Sequence, residues 1–317
     1  MLIAILLLLV GLGVLILGAE ILVRGSASLA KKLGISSLVI GLTVVAFGTS
    51  APELFVNIYS ASRGGADIAI GNIVGSNISN ILLILGISAL VRPLKVGRGT
   101  AFREIPFALL AMILIFTMGN DTMFDGATFN AITRTDGFSL MALFAIFLFY
   151  TFGIAKLGGS EEKVKEYKTA LSVVFTLGGL AALVIGGKLV VDNAVILARL
   201  AGLSEALIGL TIVAVGTSLP ELFTSVVATY HGHDDMAIGN VVGSNIFNVF
   251  WILGLTSVIL QLPFNSLINT DVLVGIGASL VLFLALFIGR KHSLDRWQGA
   301  IFVIAYFAYI TYLIMRG

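Results

Sequence analysis

Residues 41–55, GLTVVAFGTSAPELF, return as residues 209–223, GLTIVAVGTSLPELF, with 12 of 15 positions identical. Residues 69–80, AIGNIVGSNISN, return as residues 237–248, AIGNVVGSNIFN, with 10 of 12 identical and the same offset of 168. That offset also aligns Gly34 with Gly202 and Ser36 with Ser204. The chain therefore carries a duplication covering at least 34–80, and its fold has to be assembled from two copies of one unit.

The medium of that fold follows from the apolar runs. Segments such as LIAILLLLVGLGVLILGAEILV are continuous and long, and only 11% of the 317 residues are charged against 58% AVILMFWYC. A soluble domain carries roughly 25% charged residues, so too little charge is present to cover a water-facing surface, and the mean hydropathy of +1.07 agrees. The apolar fraction excludes disorder, and a net charge of +2 is too small to point to nucleic acid. With no cysteine, disulfides, thiolate metal sites and thiol catalysis are removed together. A β-barrel would alternate apolar and polar residues in short segments, which these runs do not. The chain is expected to be an all-α integral membrane protein. The N-terminal run lacks a basic n-region and a small-residue cleavage site, so it is expected to be the first helix rather than a signal peptide.

The expected spans are 2–23, 38–62, 67–91, 102–119 and 138–156, then 170–191, 206–230, 235–260, 271–290 and 297–315. Ten transmembrane helices result, five per repeat, with the first repeat in 1–157, a charged cytoplasmic linker in 158–169 and the second repeat in 170–317. An odd number of crossings per copy places the second copy upside-down, as two inverted repeats. Alternate loops on one side hold Arg24, Lys31, Lys32, Arg92, Lys95, Arg98, Arg103, Lys156, Lys163, Lys165, Lys168, Arg290, Lys291 and Arg296, which makes 14 basic residues. The other side holds Arg63, Arg134, Lys188, Arg199 and Arg316, which makes 5. The positive-inside bias puts the richer side in the cytoplasm and both termini outside, in a multi-pass protein of the cell membrane.

Glu53 and Glu221 each lie midway along an otherwise uncharged apolar segment, at equivalent positions of the two copies. An ionisable group at that depth is costly unless it faces a polar interior. Each follows a helix breaker, GTSAPE (48–53) or GTSLPE (216–221). Pro52 and Pro220 cannot donate to the carbonyls of Gly48 and Gly216, which leaves backbone carbonyls around Ala46–Thr49 and Ala214–Thr217 available as ligands. Asn72, Ser76, Asn80 and Asn240, Ser244, Asn248 form polar stripes at i, i+4 spacing on the following helices. Ser76, Ser244, Asn80 and Asn248 are read as lining an ion pathway. For Asn72 and Asn240, capping or interhelical bonding competes with ion contact. Gly71-x-x-x-Gly75 and Gly239-x-x-x-Gly243 are read as packing faces.

Two carboxylates with carbonyls, hydroxyls and amides make an all-oxygen donor set. Such ligands suit Ca²⁺, whereas zinc, copper and iron favour nitrogen or sulfur. Two negative charges neutralise one divalent ion or partly neutralise several Na⁺, and they invite H⁺ when the cage is empty. Ca²⁺, Na⁺ and H⁺ can therefore compete as transported ions. No cofactor and no protein partner are expected beyond these ions and the lipid bilayer.

Other polar groups are read more plainly. HGHDD (231–235) is expected to be a solvated loop, with metal ligation the lesser reading. Glu20, Lys188 and Asp192 are expected near helix ends, with their charges snorkelling. Asp121, Asp125 and Asp136 could form an outer-side funnel, and Trp251 and Trp297 are interfacial anchors or packing groups.

With GTSAPE/GTSLPE and GNIVGSNISN/GNVVGSNIFN in place, the chain resembles the cation/calcium exchanger superfamily, specifically its prokaryotic sodium/calcium exchangers, over nearly its whole length. The proton/calcium branch usually has GNxxE where this chain has GTSxPE. The resemblance implies a ten-helix inverted repeat with ion positions between the second, third, seventh and eighth helices. It implies Glu53 and Glu221 as shared ligands of Ca²⁺ and Na⁺, and Thr49 and Thr217 as further Ca²⁺ ligands. It also implies that the Ala46 and Ala214 carbonyls, with Ser50, Ser76, Ser218 and Ser244, line flanking Na⁺ positions, and that Asn80 and Asn248 face the middle one. The family typically exchanges three Na⁺ for one Ca²⁺, with its first and sixth helices sliding across the rest. Some relatives place Asp where this chain has Asn248, so this cage has one carboxylate fewer.

The function expected is Na⁺/Ca²⁺ antiport by alternating access. The rivals are an H⁺/Ca²⁺ antiporter on the same fold and a Ca²⁺-permeable channel. No enzyme is expected, because no nucleophile–base pair accompanies the carboxylates.

Overall fold

The computed structural model describes residues 1–154, 165–201 and 214–316. Its helices are α1 (Leu2–Leu33), α2 (Ser37–Thr49), α3 (Ala51–Ser62), α4 (Ala66–Val91), α5 (Arg98–Met118) and α6 (Arg134–Ile154), then α7 (Thr169–Leu200), α8 (Leu219–His231), α9 (Asp234–Ile259), α10 (Ser266–Ala285) and α11 (Arg296–Arg316). Among the described residues, eight helices are long and apolar enough to cross a membrane, and the bent pair α2–α3 adds a ninth. The expected span 206–230 begins outside the described residues, as do Gly202, Ser204, Lys156, Lys163 and most of the expected linker.

Helix ends differ from expectation where no breaker stops the chain. The first helix runs past 23 to Leu33, because RGSASLAKKL contains no stop until Gly34, whose left-handed φ of 65° caps it. Arg24, Lys31 and Lys32 thus extend α1 instead of forming a loop. In the second copy the helix expected over 170–191 likewise continues to Leu200.

The structure is organised around α4 and α9. The most apolar window of α4 is 83% buried and that of α9 is 78% buried, against 28% for α1, α6 and α11. The two central helices carry few exposed apolar side chains, whereas Phe149, Ile304 and Leu2 on the outer ones are exposed, as a lipid-facing surface requires. A seven-residue turn of π-helix interrupts each central helix at equivalent places, Ser79–Leu85 and Phe247–Leu253. Insertions of this kind often mark functional sites.

Helices α1 and α7 pack antiparallel, since Ser28 meets Ser172 while Gly11 lies against Val190. Their backbones touch along a seam of glycines at seven-residue spacing. A Cβ on Gly25 would lie 2.6 Å from the Thr176 nitrogen, and one on Gly179 would lie 2.6 Å from the Leu22 nitrogen.

Loop contacts sort into two ends of the bundle. At one end Lys31 pairs with Glu166 (2.9 Å), Arg92 with Asp234 (2.7 Å), and Leu94–Lys95 form an antiparallel ladder with Ser293–Leu294. At the other, Ala131–Ile132 pair with Leu262–Pro263, Asn120 exchanges bonds with Asn269, and Arg316 reaches Asp271 (2.9 Å). These are the two groups into which loop charge had divided the chain.

Several surface readings need correction. HGHDD is not a freely solvated loop: His231 contacts Glu20 at 2.7 Å, and Asp234 is buried against Arg92 and the Lys95 amide. Glu20, Lys188 and Asp192 fall within extended helices rather than near their ends, Glu20 paired with Arg24 and Lys188 with Asp192 (2.8 Å). Asp121 accepts from the Ala131 amide and Asp136 from Thr133, so both staple their loop. Trp251 packs on Phe144, with ring centroids 5.4 Å apart, whereas Trp297 is exposed.

Candidate ion-binding site

The proline rule alone puts the break at Gly48, and the structure puts it two residues later, at Ser50. Helix α2 ends at Thr49, Ser50 leaves the helical conformation (φ −83°, ψ 9°), and α3 restarts with Pro52 in its first turn, bent by 44°. A proline is tolerated there because its missing N–H would have no intrahelical partner. The second copy repeats this: Ser218 (φ −86°, ψ 6°) separates the turn Ala214–Thr217 from α8, whose first turn holds Pro220. Glu53 and Glu221 consequently occupy the first turns of α3 and α8, where the positive end of a helix dipole favours a carboxylate.

Both side chains are 1% exposed. Each is held by hydroxyls from the two copies. Glu221 Oε1 accepts from Ser50 at 2.8 Å and from Ser244 at 3.4 Å. Glu53 Oε1 accepts from Ser218 at 3.4 Å and from Ser76 at 3.5 Å. The contacts exchange under the 168-residue offset: Ser50–Glu221 becomes Ser218–Glu53, and Ser244–Glu221 becomes Ser76–Glu53. Ser218 also donates to Ser76 (3.3 Å). Ser50 and Ser218, each three residues before one glutamate, thus bond the glutamate of the opposite copy.

Thr49 and Thr217 flank this core. Thr49 Oγ1 donates to Asn240 Oδ1 at 3.1 Å, and Thr217 Oγ1 accepts from Asn72 Nδ2 at 3.5 Å. Asn240 also donates to Ser225 (2.9 Å) and to the Glu221 carbonyl (3.4 Å). Asn72 and Asn240 thus each donate a bond between helices, and Asn72 Oδ1 has no partner among the described residues. The Ala46 carbonyl already accepts from the Ser50 amide (3.0 Å) and the Thr49 hydroxyl (3.3 Å). Ala214 opens the short turn before Ser218. Gly239 and Gly243 close on α2: a Cβ on Gly239 would lie 2.7 Å from the Leu38 carbonyl oxygen. The positions equivalent to that contact in the other copy, 206 and 210, lie outside the described residues.

One turn along the central helices, Asn80 and Asn248 are buried at 1% exposure within the π-helical turns. Buried oxygens without a hydrogen-bond partner among the described residues include Asn72 Oδ1 and, in addition, Glu53 Oε2, Glu221 Oε2, Asn80 Oδ1 and Asn248 Oδ1. The last four form two equivalent pairs. A buried, unsatisfied oxygen costs more when its group is charged than when it is neutral, and this set, with the surrounding hydroxyls, has the all-oxygen chemistry of a hard-cation site. Among the described residues no group of three or more His, Cys, Asp or Glu could hold a metal ion. Two carboxyl groups and otherwise neutral donors therefore line this neighbourhood.

Asn77 and Asn245 were not singled out from the sequence. They are buried and bind the amides of the opposite copy. Their signal was present, since GSN is identical in both copies, but position 77 lies off the i, i+4 stripe that marks the ligand face.

Known proteins resemble this chain over nearly its whole length. A family model described as "Sodium/calcium exchanger protein" matches residues 3–153 and 171–315. The chain is 38% identical to the putative antiporter CaxA of Alkalimonas amylolytica, covering 98% of each chain. It is 33% identical to the sodium/calcium exchanger MaX1 of Methanosarcina acetivorans, covering 97% of each. Its fold matches a solved structure of the sodium-calcium exchanger NCX_Mj soaked with Na⁺, with TM-score 0.84 and 34% identity, over 97% of this chain and 98% of that one.

Proposed function

The chain belongs to the sodium/calcium exchanger protein family, and on that footing we propose that it exchanges Na⁺ for Ca²⁺ across the membrane by alternating access. The observation that carries this reading is the set of four buried, unpartnered oxygens on Glu53, Glu221, Asn80 and Asn248. Two carboxylates balance one Ca²⁺, and the same charges shared among several Na⁺ give the mutual exclusion that antiport needs. The Oε2 atoms of Glu53 and Glu221 are the shared ligands, and the Thr49 and Thr217 side supplies further Ca²⁺ oxygens. Ser50, Ser76, Ser218 and Ser244 hold the carboxylates and line the flanking Na⁺ positions. For the Ala46 carbonyl to serve Na⁺, Thr49 must release its bond. Ala214 has the equivalent role, and Asn80 and Asn248 face the middle position.

We read the architecture as ten helices in two inverted five-helix repeats (1–157 and 170–317), joined by a cytoplasmic linker, with both termini outside. The antiparallel packing of the equivalent helices α1 and α7 supports inversion. Their glycine seam makes one rigid pair, suited to sliding over the central helices and opening the cage to one side at a time.

The test is Ca²⁺ uptake into proteoliposomes with pH clamped and a Na⁺ gradient imposed. Uptake should follow the Na⁺ gradient and stop when Na⁺ is replaced by choline. Uptake that ignores Na⁺ and follows the pH gradient would transfer the cage to H⁺/Ca²⁺ exchange, and fast flux without any counter-ion gradient would make it a channel.

A further inference from the structure

We infer that Asn77 and Asn245 are positioning residues that fix which end of the Asn80 and Asn248 amides faces the cation; the inference rests on the ion-site reading above. An asparagine amide presents either an acceptor oxygen or a donor NH₂, and only the oxygen can ligate a cation. Its shape fits both ways round, so something else has to set its polarity.

The polarity is set by backbone carbonyls. Asn245 Nδ2 donates to the carbonyl oxygen of Asn77 at 3.4 Å, and a carbonyl is an acceptor only. The Asn245 amide is therefore held with Oδ1 on its other side, where it accepts from Asn80 Nδ2 at 2.9 Å. With its NH₂ engaged there, Asn80 turns Oδ1 the other way, and that atom is one of the four unpartnered oxygens. The opposite copy repeats each step. Asn77 Nδ2 donates to the Asn245 carbonyl at 3.3 Å and lies 3.3 Å from the Met112 sulfur, a second group without a proton to give. Asn77 Oδ1 then accepts from Asn248 Nδ2 at 3.0 Å, and Asn248 Oδ1 is left free. All four side chains are at most 2% exposed, so water is not at hand to rescue a reversed amide.

The network therefore runs from a fixed acceptor, through one asparagine, to the ligand amide, once in each direction across the interface between the copies. It ties the interface between the central helices to the cation preference of the site. Without Asn245 the Asn80 amide can rotate, and an NH₂ facing the cage repels a cation.

The test is a double-mutant cycle read by Na⁺-driven Ca²⁺ uptake in proteoliposomes. Asn245→Ala should raise the half-saturating Ca²⁺ concentration roughly 10- to 100-fold, the usual cost of removing a group that orients a ligand, with a smaller change in maximal rate. In an Asn80→Asp background Asn245→Ala should add no comparable rise, because a carboxylate has no wrong face. An unchanged half-saturation in Asn245→Ala would overturn the inference, as would an equal cost in both backgrounds, which would make Asn245 a packing residue. Asn77→Ala with Asn248→Asp runs the same test through the other copy if Asn245→Ala does not fold. The two readings fail separately: full transport by Glu53→Gln would remove the ion site itself, whereas inactive Glu53→Gln with unaffected Asn245→Ala would remove only the orienting role.

Discussion

Glu221→Gln separates ligation from folding because its two oxygens have different tasks. Oε1 accepts from Ser50 at 2.8 Å and Ser244 at 3.4 Å, and a glutamine carbonyl in that place keeps both bonds. The change falls on Oε2, which has no partner among the described residues and becomes an NH₂. Removing one member of a desolvated ion pair costs about 3–5 kcal/mol. At about 1.4 kcal/mol per decade, Ca²⁺ binding should weaken by roughly two to three and a half powers of ten. The fold should move the other way, since a neutral amide replaces a buried group able to carry charge. Thermal melts in detergent read both effects. With Ca²⁺ at 100 times its Kd, the unmodified protein gains about 2.7 kcal/mol. A variant binding a hundredfold more weakly gains only about 0.4 kcal/mol. Glu221→Gln should therefore melt no lower than the unmodified protein without ions, lose nearly all of the Ca²⁺-dependent rise, and fail to exchange. A variant that keeps the rise and transports would refute the ligand role. A variant that unfolds without ions would make Glu221 a structural group.

Three further perturbations test other parts of the structure. Gly179→Ala sets a Cβ 2.6 Å from the Leu22 nitrogen; it should cost about 1–3 kcal/mol, seen as a lower melting temperature, and an unchanged melt would show that α1 and α7 are not in backbone contact. Arg92→Ala removes the guanidinium that meets the buried Asp234 at 2.7 Å; a loss of about 1–3 kcal/mol should be largely recovered by adding Asp234→Asn, and no recovery would assign the loss to the arginine stem. Outside the bilayer, the hydrogen bond from Lys31, then its charge, holds the Glu166 carboxyl below its ordinary value of 4.5. That tie is fully present above the ordinary value and is lost as pH falls through the lowered one. An NMR titration of Glu166 should move back toward 4.5 in Lys31→Ala, and an identical midpoint in both proteins would show that the pair does not form in solution.

The cage was legible in the sequence because the duplication repeats chemistry at fixed positions. Glu53 stands out as a repeated charge in an apolar segment, Ser76 and Asn80 lie on a face that helical spacing identifies, and the contacts between the copies run through Ser50 and Ser218. What stayed hidden depends on contacts between distant segments. Asn77 and Asn245 bond across the two central helices, and no local period reports such a partner. Burial of Asp234 likewise depends on Arg92, 142 positions away. Helix length was misread for a different reason: apolarity marks where lipid ends, whereas a helix ends at a stop such as Gly34, so polar turns were taken as loops. The site of the break was misplaced because Pro52 was treated as a helix interior residue, when it opens a new helix.

The central claim is that Glu53 and Glu221 share one cation. Crystals of the protein soaked with Sr²⁺, a Ca²⁺ surrogate with a usable anomalous signal, test it directly. A single anomalous peak should lie about 2.3–2.6 Å, or slightly more for the larger ion, from an oxygen of each glutamate and should vanish at high Na⁺. A peak bound to only one of them, or elsewhere in the bundle, would contradict it.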